Sequence, residues 1–268
     1  AKALLDNEQL GQDDVTDMLA ISISSTDIIG HAYGTRGAEN KAAYMRTDAE
    51  LADFLAYLDE KVGKGNYLFF LSADHGGMHN ANVMKQHKIP ADGYAAWNEI
   101  KPLNAAFKEK YGIEKVALMA NANRIYLNHA AIAKAGLQLD NVKREVADYL
   151  SRNPKVHMVV DYANAVNANL PQLIRERIVN GWNPDRSGDL FVVPKPHNVD
   201  GVVTPDYRGT SHGVWNPYDS HIPMVFMGWK VKHGQTSTPT RIVDIAPTVC
   251  EMLHIQMPNA CIGDAVNE

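Results

Sequence analysis

Ser72-Ala73-Asp74-His75-Gly76-Gly77, preceded by the apolar run Tyr67-Leu68-Phe69-Phe70-Leu71, is the stretch from which this chain is best read. An uninterrupted apolar run of that length has the pattern of a buried strand in a parallel sheet. Asp74 and His75 then stand where the strand ends and a glycine turn begins. In open α/β sheets, ligand sites lie at the carboxyl ends of the strands. A carboxylate beside an imidazole there supplies oxygen and nitrogen donors suited to zinc. The same pair also suits an Asx turn with a hydrogen-bonded histidine, so the neighbouring sequence has to decide.

Towards the N-terminus, residues 39–62 predict an amphipathic helix. Ala42, Met45, Ala49, Ala52, Leu55, Leu58 and Val62 recur three and four apart, the spacing of a buried stripe, and Gly63 and Gly65 end it. Met18-Leu19-Ala20-Ile21-Ser22-Ile23 predicts a strand over 17–23. Strand, helix and strand in that order predict a βαβ unit, with 17–23 and 67–71 adjacent or nearly so. Residues 1–10 predict a further helix, stopped by Gly11. Towards the C-terminus the pattern predicts helices over 99–111, 139–151 and within 161–180. It predicts two short strands around Asn121-Ala122-Asn123, and others at 155–160, 190–193 and 223–227. A long loop over 197–218 follows the fourth of these. Residues 241–253 read as a helix whose Pro247 suits a first turn.

The bulk numbers narrow the field. A chain of 268 residues, 45% hydrophobic and 21% charged, buries a sizeable core as one large domain or two small ones. A net charge of -5 leaves no basic footprint for a nucleic-acid-binding surface. No apolar run is long enough to span a bilayer. No signal-peptide pattern opens the chain, which starts at Ala1 without methionine and reads as a mature or trimmed product. Cys250 and Cys261 could form one disulfide or remain free.

Two further Asp and His positions join Asp74 and His75. Asp27 and His31, in Ser24-Ser25-Thr26-Asp27-Ile28-Ile29-Gly30-His31, share one face if that turn continues as a helix. A helix-capping aspartate and a surface histidine are the competing reading. His212 lies in the glycine-flanked Gly209-Thr210-Ser211-His212-Gly213. Asp27, His31 and His212 could hold one ion with three side chains and an open position, the pattern of a catalytic zinc. Asp74 and His75 offer a neighbouring ion only two ligands. Two ions roughly 4 Å apart can clamp a phosphoryl group. His79, His87, His197 and His221 are weaker candidates, better read as surface or supporting groups. Arg186 and Lys195 could touch a phosphate but are ordinary loop cations. Trp182, Trp215 and Tyr218 could line a pocket or simply pack.

These motifs resemble the alkaline phosphatase superfamily, closest to the bacterial single-chain alkaline phosphatases and the nucleotide pyrophosphatase/phosphodiesterases. The resemblance rests on Ser25-Thr26-Asp27-Ile28-Ile29-Gly30-His31, Ser72-Ala73-Asp74-His75-Gly76 and Gly209-Thr210-Ser211-His212-Gly213, in that order. The Asp27 to Asp74 spacing (74 − 27 = 47) is also similar to the family's. It continues through Arg186-Ser187-Gly188-Asp189 and Ile222-Pro223-Met224-Val225-Phe226, over most of the chain.

The resemblance implies a three-layer αβα sandwich with a mostly parallel central sheet, incomplete at its N-terminal side. It implies a single domain over 1–268, with a cap or insert subregion within 80–190. Asp27, His31 and His212 would bind one zinc; Asp74 and His75 would bind a second that is weak or absent. The implied activity is hydrolysis of small-molecule phosphoric esters in a periplasmic or secreted enzyme. The family's nucleophile, and a further aspartate ligand, precede the D-x-x-x-H motif and match no position here. The chain therefore resembles the C-terminal half of such an enzyme, and alone it is expected to be nearly inactive. A sulfatase or phosphonate hydrolase of the same superfamily, or a non-catalytic zinc-binding fragment, remain open. So does the choice between monoester and diester, and the oligomeric state.

Overall fold

The computed structural model describes residues 1–266. In chain order its elements are α1 (Lys2–Asn7), α2 (Ser25–Tyr33), α3 (Ala38–Leu58), β1 (Leu68–Ser72), α4 (Ala81–Gln86), β2 (Asp92–Tyr94), α5 (Ile100–Tyr111), β3 (Ala117–Asn121) and β4 (Arg124–Leu127). Then come α6 (His129–Lys134), α7 (Leu139–Ser151), β5 (Val156–Asp161), α8 (Gln172–Asn180), β6 (Leu190–Pro194), β7 (Asn198–Asp200), α9 (Pro217–Ser220), β8 (Met224–Gly228) and α10 (Ile245–Leu253). Among the described residues no helix is long and apolar enough to cross a membrane. Cys250 and Cys261 are free thiols.

Two compact units share the chain. The first comprises Ala1–Ile29, Ala38–Gly76 and the residues from His221 on; the second comprises Gly30–Gly37 and Gly77–Ser220.

In the second unit, four antiparallel strands run in the order β3-β4-β6-β5. All five residues of β6 are buried, and their side chains alternate between two cores. Leu190 and Val192 join Leu103 and Phe107 of α5, Ile132 of α6, and Val142, Val146 and Leu150 of α7. Phe191 and Val193 join Val160, Tyr162, Ala165 and Ile178 of α8. The buried positions of α7 are spaced four apart, one helical stripe. Burial on both faces gives β6 its unbroken apolar run. The Asn121-Ala122-Asn123 turn joins β3 to β4 with Ala122 and Asn123 at φ 44° and 64°, the two positive angles of a type I′ hairpin. A smaller core holds Met78, Ala81, Met84 and Val199, with Tyr207 and Tyr218 packed against it. Beside it runs a parallel pair, β2 with β7.

In the first unit, β1 pairs antiparallel with β8, Phe70 opposite Phe226. Two expectations fail here. Residues 17–23 form no strand, and Met18, Ile21 and Ile23 remain exposed; no described strand pairs with them, and a strand needs a ladder. Helix α3 lies where expected, but its face is turned. Asn40 and Leu58 are buried, with Ala43, Thr47, Leu51 and Phe54 half-buried between them, while Ala42, Met45, Ala49 and Ala52 face outward. Towards the C-terminus the expected stripe holds, with Leu55 and Val62 half-buried and Leu58 buried; over residues 40–54 the packed stripe is displaced by one or two positions from the one the apolar spacing picks out. The α/β class holds. Neither strand direction nor burial follows from the apolar runs: the run at 67–71 predicts a buried parallel strand, but β1 pairs antiparallel with β8 and is only half-buried, with Phe70 exposed.

Candidate metal centre

The Asp27 motif is helical. Ile28 N–H donates to Ser24 O, and α2 begins at Ser25. Asp27 and His31 therefore stand one turn apart on one face. A carboxylate oxygen of Asp27 and a ring nitrogen of His31 lie within 4.8 Å of each other.

The loop that bears His212 is built against the last turn of α2. Thr210 N–H donates to Gly30 O at 3.2 Å. His31 Nδ1 lies 3.0 Å from the carbonyl of Thr210. A carbonyl only accepts, so Nδ1 carries the proton and Nε2 of the neutral ring offers a lone pair. That Nε2 lies 3.2 Å from His212 Nε2, although the two residues are 181 positions apart. Two imidazoles on one tetrahedral zinc, each at about 2.0–2.1 Å, hold their nitrogens roughly 3.3–3.4 Å apart. The pair thus has the spacing of two ligands, and with Asp27 the donors are the nitrogens and oxygen that suit zinc.

Asp74 and His75 follow β1 directly. His75 Nδ1 donates to Gly76 O at 2.8 Å, so in the neutral ring its Nε2 is also unprotonated. This nitrogen lies 3.8 Å from an oxygen of Asp27 and 3.6 Å from one of Asp74. A lone pair facing two carboxylates is an arrangement that a cation stabilises. Asp74 is the most open of these three residues, with 89% of its side chain exposed. Helix α2 thus carries one member of each pairing: Asp27 meets His75, and one turn later His31 meets His212.

Several residues that hold these groups carry no motif of their own. Asn80 caps α4, accepting from Asn82 N–H and Val83 N–H, and donates to the carbonyls of Tyr207 and Gly209. The Thr210 hydroxyl donates to Met78 O. Gly209 sits so close to α2 that a Cβ on it would lie 1.8 Å from His31 O. Asp200 lines one small recess with His212, Met78 and Tyr218. Burial pushes its carboxyl above the ordinary value, with His212 pulling the other way. Residues that sit on loops and act through backbone atoms leave little trace in a sequence pattern.

The weaker candidates resolve into structural roles. His79 Nδ1 pairs with the Thr35 hydroxyl at 2.9 Å, and His197 stacks on Tyr218. Trp215 packs on Phe191. Arg186 lends its backbone carbonyl to the Tyr126 hydroxyl. His87, His221 and Lys195 are exposed.

Comparison with known proteins follows the same lines. Residues 1–214 match the model of the type I phosphodiesterase / nucleotide pyrophosphatase family, and the chain belongs to that family. It is 40% identical over 269 residues, its whole length, to the alkaline phosphatase PafA of Elizabethkingia meningoseptica, covering 48% of that protein. It is 42% identical over 271 residues to a calcium-transporting ATPase of Myroides odoratus, covering 49% of it. Among solved structures, wild-type alkaline phosphatase PafA matches at a TM-score of 0.94 with 39% identity, over 99% of this chain and 50% of that one. The chain spans about half the length of the curated relatives it matches.

Proposed function

We propose that this chain carries the metal-binding part of a phosphoric-ester hydrolase, with zinc as its metal. Asp27, His31 and His212 would hold one ion, and Asp74 and His75, sharing Asp27's neighbourhood, a second and weaker one. The observation that carries the reading is the Nε2–Nε2 approach of His31 and His212, at ligand spacing across 181 positions. When bound, such ions polarise a phosphoryl oxygen and lower the pKa of a coordinated oxygen nucleophile.

The chain's own residues prepare for this. Thr210 holds the proton of His31 on Nδ1, and Gly76 does the same for His75. We assign the attacking group to none of these residues, because Ser25 and Thr26 occupy the first turn of α2. A polypeptide of these 268 residues alone is accordingly expected to turn over slowly. We read the substrate as a small phosphate ester, the segment 80–190 as a cap or insert, and the working compartment as periplasmic or extracellular, by analogy with the alkaline phosphatase relatives.

The test is metal content together with hydrolysis of p-nitrophenyl phosphate and bis-p-nitrophenyl phosphate by the protein and its His212→Ala variant. Zinc bound and turnover lost in the variant support the reading. A wild-type protein that binds no zinc ends it.

A further inference from the structure

Asp219 is only 2% exposed. One of its oxygens, Oδ2, accepts both the Gly213 N–H and the Val214 N–H, each at 2.7 Å. Its other oxygen, Oδ1, is buried with no hydrogen-bond partner among the described residues. The two N–H groups are consecutive, and Gly213 has φ +100°. Successive N–H groups in such a turn form a concave nest for an anion, and here the anion is a side chain six positions further along.

The nest begins at the residue after His212. The Gly213 N–H belongs to the same peptide plane as the His212 carbonyl, so anchoring that N–H fixes ψ of His212. The ring of His31 is oriented by a carbonyl; the backbone of His212 is oriented by a carboxylate. A neutral asparagine could accept the same two N–H groups. Burying a carboxylate with one oxygen unpartnered is the costlier choice. The charge strengthens both bonds.

We propose that Asp219 is the positioning residue of His212, its charge-assisted bonds to Gly213 N–H and Val214 N–H holding the loop in the ligand geometry. This rests on the metal reading given above. Groups that orient metal ligands typically change metal affinity 10–100-fold when removed.

The experiment is zinc titration against a competing chelator for the full protein, Asp219→Asn, and the core control Ile132→Val, with melting temperatures for all three. Asp219→Asn keeps an acceptor near the nest and removes the charge. The expected result is a zinc affinity about 10–100-fold weaker for Asp219→Asn, while Ile132→Val lowers the melting temperature and leaves zinc affinity unchanged. Unchanged zinc affinity in Asp219→Asn, with only a lower melting temperature, overturns the proposal and leaves the metal reading standing. A wild-type protein that takes up no zinc overturns both. Should Asp219→Asn not fold, Asp219→Glu replaces it. That variant retains the charge, displaces the carboxylate by one methylene and is expected to weaken zinc binding as well; unchanged affinity there also counts against the proposal.

Discussion

The backbone of Gly209 approaches α2 so closely that a Cβ at this position would stand 1.8 Å from the carbonyl oxygen of His31. Neither partner is a flexible side chain that can swing aside. The contact ties the loop bearing His212 to the helix bearing His31, and only glycine permits it.

Gly209→Ala should therefore push the loop off the helix. Overpacking of this kind costs about 1–3 kcal/mol, and zinc affinity should fall with it. Gly136→Ala is the comparison: Gly136 has open space around it and only a positive φ of 71° to contend with. Thermal melts and zinc titration of the two variants check this. Equal, mild effects on both would show that the close approach does not govern the loop.

His31→Ala and His212→Ala should each abolish the gain in stability that zinc gives. A ligand at 100 times its Kd stabilises a native state by about 2.7 kcal/mol. Wild-type protein should show a shift of that order in denaturant melts, reversed by chelator, and neither variant should.

Asn80 offers a finer separation. Asn80→Ala removes a helix cap and two loop tethers, and should cost about 2 kcal/mol or more. Asn80→Asp keeps the cap acceptor but loses both donors to Tyr207 and Gly209. If the tethers hold the His212 loop, Asn80→Asp should weaken zinc binding nearly as much as Asn80→Ala while retaining more stability. Chemical denaturation and chelator competition on the pair read both quantities.

Tyr67 gives an alkaline signature to the first unit. Burial, and then the hydrogen bond and charge of Asp59, push its hydroxyl up to about 12. The folded pKa is raised above the unfolded value near 10, so the contribution is present in full below pH 10 and is lost between pH 10 and about 12. Tyr67→Phe should remove that slope and, at neutral pH, cost about 1 kcal/mol for the lost bond to Asp59. Melting temperature measured from pH 8 to about 12 in both proteins decides it.

The residues of the candidate site could be picked out in the sequence because they sit in short motifs. D-x-x-x-H on a helix and Asp-His after a strand are local patterns, and the structure forms both. What holds the ligands was not legible. Asn80, Asp219 and the carbonyl of Thr210 act across sequence gaps, through backbone groups that every residue possesses. The second unit's elements were visible as apolar runs and turn residues; the hairpin at Asn121-Ala122-Asn123 is an example. The strand expected at 17–23 failed because pairing depends on a neighbour that a local pattern does not encode. The outward face of α3 failed for a related reason: small residues such as Ala42, Ala49 and Ala52 fit a stripe without requiring cover.

The 181 residues between His31 and His212 also have a consequence in time. A ribosome adds about 5–20 residues per second, so His31 is made roughly 10–40 s before His212 is added. Throughout that interval α2 can present Asp27 and His31 to the surrounding solution as a lone carboxylate and imidazole, too few to hold an ion firmly. The strands and helices of the second unit that precede β7 are synthesised within the same window and can pack meanwhile. The newborn chain can thus complete its four-stranded sheet first, and the imidazole pair closes only after β6 and β7 have been made.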